Sequence, residues 1–97
     1  MDEIRFTWDA GKDAVNQRKH GVSFGEAKTV FADDFARLII DPDHAAGEQR
    51  FILMGISAES NLLTVCHCER GPNTIRIISA RKADKSEREQ YEAHRYA

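Results

Sequence analysis

Ile4, Phe6 and Trp8 alternate with polar neighbours over Glu3–Trp8 and predict a first strand. Asp9 then offers an N-cap for a short polar helix from Ala10 to His20, and Gly21 ends it as the residue that accepts a left-handed backbone. Ser23 followed by Glu26 has the spacing of a capping box. Behind it Phe24, Ala27, Val30 and Phe31 form one apolar stripe, so a second helix is predicted from Phe24 to about Ala32. After Asp33 and Asp34 the period falls to two. Strands are predicted at Phe35–Asp41, stopped by Pro42, then at Arg50–Ser57, Leu62–Glu69 and Thr74–Ala80. A polar loop, 43–48, precedes the second of these, and turns at 59–61 and 70–73 separate the others. Asp84 with Glu87, or Ser86 with Glu89, caps a charged final helix running to about Arg95.

The order β-α-α-β-β-β-β-α, with short turns between the later strands, predicts an antiparallel meander. Helices gathered on one side would make a two-layer α+β domain spanning residues 1–97. Plain alternation puts Leu63, Val65, His67 and Glu69 on one face of their strand. In the next strand it groups Ile75, Ile77 and Ser79 against Thr74, Arg76, Ile78 and Ala80.

Composition changes this picture little. At 41% hydrophobic and 31% charged, the chain has apolar surface enough to fold, and no run approaches the roughly 20 apolar residues that span a bilayer. An acidic N-terminus unlike a secretory signal leads to the expectation of a cytoplasmic protein. Cys66 and Cys68 share a strand face, too close for an ordinary disulfide and lacking the second pair of a zinc site; they read as reduced thiols. The net charge of −2 excludes a uniformly basic nucleic-acid binder. Its distribution is uneven: residues 1–60 hold seven Lys/Arg against eleven Asp/Glu, and residues 61–97 hold seven against five.

No phosphate loop, nucleophile elbow or metalloprotease helix is present. The polar groups left near the strand ends suit metal-free RNA cleavage. His67 or Glu69 is the candidate for proton transfer, and Arg76 and Arg81 are the candidates for holding phosphate with a planar, permanently charged fork. Convergence of His67, Glu69 and Arg76 depends on strand register. Against this stand plainer roles: a packed His67, a cross-strand Glu69–Arg76 pair, solvated Arg81 and Lys82, and an Arg18-Lys19-His20 run that complements its helix dipole.

Three stretches, in order, resemble the BrnT family of ribonuclease toxins from bacterial type II toxin–antitoxin pairs. Phe6-Thr7-Trp8-Asp9 with Asn16–Phe24 is similar to the family's opening strand, basic His-Gly turn and capped helix. Glu48–Gly55 is similar to its hydrophobic strand after an acidic loop, and Arg76–Arg81 with Lys82-Ala83 to its closing signature. The resemblance implies a RelE-like fold and a metal-independent endoribonuclease, without cofactor, that arrests growth by cleaving RNA. It implies neutralisation by a BrnA-type antitoxin in a hetero-oligomer that reaches operator DNA only through the antitoxin. It carries His67, Glu69, Arg76 and Arg81 as catalytic, and Lys12, Arg18, Lys19 and Lys82 as RNA-binding. The alternative reading is a non-catalytic partner-binding module that tunes a DNA-binding repressor complex.

Overall fold

The computed structural model describes residues 3–41 and 47–96; most of the predicted 43–48 loop, and Pro42, lie outside them. Strand β1 (Arg5–Thr7) leads into helix α1 (Ala10–His20), capped by Asp9 and ended by Gly21 at φ 69°. Helix α2 (Phe24–Ala27) tightens into a 3-10 turn over Lys28–Ala32. The tightening follows from Thr29, whose hydroxyl donates to the Glu26 carbonyl three residues back and accepts from the Ala58 N–H. Ser23 caps the Glu26 N–H, but the Glu26 carboxylate turns away to Ser57 and Asn61, so the reciprocal half of the predicted box is missing.

Strands β2 (Arg37–Ile40), β3 (Arg50–Ile56), β4 (Leu62–Glu69) and β5 (Thr74–Lys82) follow, then helix α3 (Lys85–Arg95). They form the predicted meander. The described residues make a five-stranded sheet in the order β1-β5-β4-β3-β2, antiparallel except where β1 runs parallel to β5. Asp84 and Glu87 complete both halves of the capping box on α3.

One sheet face, with Leu53, Leu63, Val65, Ile77 and Ala80, packs against Val22, Phe24, Ala27 and Val30 from the α1–α2 side; Phe6, Trp8 and Phe31 close its margin. The expectation that every helix lies on that side is corrected by α3. It covers one end of the opposite face, where Tyr91 packs on Met54 and Leu62. The reason is apolarity on both faces: a small sheet with two such faces gains by burying each. Tyr91 also reaches the sheet edge, its hydroxyl donating to Asp33 Oδ2 at 2.6 Å beside the Ile56 N–H at 2.8 Å.

Gly55 sits where β3 meets the 3-10 turn. A Cβ there would come within 2.9 Å of Val30 Cγ1 and 3.0 Å of both Ala36 Cβ and Asp33 Oδ2. Gly55→Ala should therefore cost about 1–3 kcal/mol in urea unfolding, the usual penalty of an overpacked core. A variant as stable as the parent would contradict this packing.

Candidate active site

The register fixes which side chains can act together. Cys68 pairs with Arg76 and His67 with Ile77, but Cys66 pairs with Ser79, which leaves Ile78 as an extra residue in β5. This bulge corrects the plain alternation. It turns Ala80 into the core with Ile77, and it puts Ser79 and Arg81 on the opposite, open face with Arg76.

Asn16 builds the rim of that open face. β1 pairs with β5 only as far as Arg76, so beyond that point the outer edge of β5 lacks a strand. The buried Asn16 amide substitutes for one. Its Nδ2 donates to the Ala80 and Val22 carbonyls, both at 2.8 Å, and its Oδ1 accepts from the Ala80 N–H at 3.1 Å. This clamp holds the last turn of α1, with Lys19 and His20, against β5. Between them runs a trough of about 530 Å³ that Lys12, Lys19, His20, Ile78 and Ser79 help to line. Through His20, Ile78 and Ser79 it continues into a second hollow of about 410 Å³ that reaches Asp41, Arg50, Cys66 and Arg81.

Arg81 is held rigidly in this trough. Its two terminal nitrogens grip the Glu87 carboxylate at 2.7 and 2.8 Å, which keeps its pKa raised and leaves its Nε–H and one further hydrogen available. Arg50 Nε is buried there and finds no hydrogen-bond partner among the described residues. Burial and the nearby Asp41 carboxylate, to which its thiol donates at 3.8 Å, push the Cys66 pKa up and disfavour its thiolate. Both cysteines are free thiols. Among the described residues, no three His, Cys, Asp or Glu side chains gather to hold a metal ion.

The remaining predicted residues lie elsewhere. His67 and Glu69 line a different hollow, of about 440 Å³, that the helix-side face shares with Ile4, Phe31 and Leu38. His67 is only 4% exposed, edge-on to Phe31 at 4.9 Å and stacked on Phe51 at 5.8 Å between ring centres. Burial pushes its pKa down, opposed by the Val65 backbone and the Glu69 charge. Lys82 pairs with Leu63, away from the trough, and its charge acts on Glu26. Arg18 is exposed and does not line the trough. The structure thus gathers Lys12, Lys19 and Arg81, adds His20 and Arg50, which the sequence reading had not put forward as site residues, and separates His67 and Glu69 from both candidate arginines. The His-Gly helix end was the available signal for His20; Arg50 carried none.

Three shifted groups give a signed pH prediction. Burial pushes the Asp33 carboxyl up, but hydrogen bonds from the Ile56 N–H, the Tyr91 hydroxyl and the Phe35 N–H outweigh it and hold it low. The Arg81 guanidinium holds Glu87 low. All three, His67 included, are depressed in the folded protein, so each contributes stability in full above its ordinary value and loses it as pH falls. The melting temperature should drop on acidification, first below His67's ordinary 6.5 and further below the carboxylates' 4.5 and 3.8. Melts that stay level from neutral to acid pH would contradict these placements.

The described residues thus form a small α+β domain with a trough between α1 and β5 that holds Lys12, Lys19 and His20 and leads on to Arg50 and Arg81. The family described as "Ribonuclease toxin, BrnT, of type II toxin-antitoxin system" matches residues 8–87, and the chain belongs to that family. It is therefore a ribonuclease toxin of the type II toxin–antitoxin class, with an antitoxin as its general partner. Among solved structures it is similar to the Brucella abortus ribonuclease toxin BrnT, at 21% identity and a TM-score of 0.62, covering 84% of this chain and 99% of that one. No curated protein matches the chain. No helix among the described residues is long and apolar enough to cross a membrane.

Proposed function

We propose that this protein is a cytoplasmic, metal-independent endoribonuclease that arrests growth by cleaving RNA in the open-face trough, and that a BrnA-type antitoxin neutralises it. The observation that carries this reading is the trough itself, where Lys12, Lys19 and His20 from α1 line one hollow and His20 also lines the adjoining one with Arg50 and Arg81 from the sheet. Lys12 and Lys19 supply cationic charge for the phosphates of a single strand. His20 accepts the proton of a ribose 2′-hydroxyl as its oxygen attacks the adjacent phosphorus. Arg81, pre-oriented by Glu87, and Arg50 meet the negative charge that builds on the phosphate oxygens. The 5′-oxygen leaves with a proton from solvent in the trough, giving a cyclic 2′,3′-phosphate and a 5′-hydroxyl. In the complex with antitoxin, operator DNA is contacted by the antitoxin alone.

Inducible expression tests the cellular half of this reading. Growth should stop with loss of intact cellular RNA, and co-expression of a BrnA-type antitoxin should restore it. Unimpaired growth with abundant soluble protein would favour the non-catalytic partner module.

A further inference from the structure

Among the described residues no strand pairs with the outer edge of β2, and that edge is unusually apolar. Among the described residues, four of the seven exposed large hydrophobics are Phe35, Leu38, Ile39 and Ile40, the last three 57%, 47% and 64% exposed. Open edges of this kind are normally blunted by charge, proline or a covering element.

The chemistry along this strand is self-complementary. It reads Arg37-Leu38-Ile39-Ile40-Asp41: a cation, three apolar residues and an anion. Reversed against itself, it matches its own pattern. The hydrogen-bond phase agrees. The Asp41 N–H donates inward to the Arg50 carbonyl at 2.9 Å, so Arg37 and Ile39 also turn their backbone groups toward β3. Leu38 and Ile40 therefore turn theirs to the open edge.

We propose that β2 is a homodimer interface, pairing antiparallel with β2 of a second copy about a two-fold axis through Ile39. In that register Leu38 faces Ile40 of the second copy, and these are the residues whose backbone groups point outward, so both N–H and C=O groups find partners. Arg37 faces Asp41 of the second copy in the non-hydrogen-bonded position, where Cα atoms approach to about 4.5 Å and side chains meet most closely. Arg37, Ile39 and Asp41 share one face, so both ion pairs form on the same side. Arg37 is exposed and has no ion pair within the chain among the described residues. The contact is isologous, so the assembly closes at two copies as a continuous ten-stranded sheet. One strand edge buries well under the roughly 1,600 Å² of a standard interface, so the dimer is concentration-dependent.

Sedimentation of the full chain from about 5 to about 500 µM tests it. The parent should pass from monomer to dimer. Arg37→Asp and Asp41→Arg should each raise the dissociation constant by about tenfold or more, because like charges then face each other twice. The double variant Arg37→Asp/Asp41→Arg restores opposite charges and should regain the parent's dimerisation. Ile40→Lys, at an exposed position, should abolish it with an unchanged melting curve. A parent that stays monomeric, or a double variant no better than the singles, would overturn the proposal. So would a monomer whose Leu38 and Ile40 amides become protected from exchange only when antitoxin binds, since the edge would then belong to that protein.

Discussion

Asn16→Asp should lower the melting temperature by about 12–20 °C, the largest stability effect expected of any exchange so small in volume. The amide nitrogen of Asn16 donates to two carbonyls, those of Val22 and Ala80, at a position only 6% exposed. A carboxylate there would turn oxygen toward both carbonyls and bury a charge. Lost hydrogen bonds and unpaired burial together cost on the order of 3 kcal/mol or more. Asn16→Leu separates the contributions: it removes the charge problem but still leaves the Ala80 N–H and both carbonyls unsatisfied, so it should fall between Asp and the parent. A melting temperature for Asn16→Asp within about 3 °C of the parent would mean that α1 is not clamped to β5 through this side chain.

Arg81→Ala should reduce RNA cleavage by about 100- to 1,000-fold, the usual loss when one preorganised donor to a developing charge is removed. Its effect on folding should be small. The Arg81–Glu87 pair is well exposed, 43% on the arginine side, and such pairs contribute about 0–1 kcal/mol. Glu87→Gln supplies the comparison, because it breaks the same ion pair while leaving the guanidinium in the trough. Cleavage by Glu87→Gln should stay within about tenfold of the parent, and matched losses in the two variants would assign Arg81 a structural role instead. Melting curves recorded beside the cleavage assay show whether either variant has unfolded.

Much of the fold was legible because local signals agreed with one another. Asp9, Gly21 and Asp84 set helix boundaries through their own caps, and the turns at 59–61 and 70–73 fixed the meander. Three features carried no local signal. The pairing of β1 with β5 joins residues some seventy positions apart, so nothing in Arg5–Thr7 reveals its direction. The bulge at Ile78 has no marker residue, yet it decides the face of everything after it: plain alternation would have carried Arg81 to the His67 side. The 3-10 turn depends on Ala58 reaching back to Thr29 from a distant loop. The candidate site was legible as a list of residue types but not as a constellation. Lys12 and Lys19 were readable as cations on α1, whereas their meeting with Arg50 and Arg81 depends on the Asn16 clamp and the bulge together.

Cleavage of a labelled RNA in EDTA, by the purified parent beside folded His20→Ala and Glu69→Ala variants, tests the placement of the active site most directly. The open-face trough predicts cleavage by the parent, a loss of about 100-fold or more in His20→Ala, and near-parent activity in Glu69→Ala. Loss in Glu69→Ala with activity retained in His20→Ala would contradict it and move the chemistry to the His67–Glu69 side of the sheet.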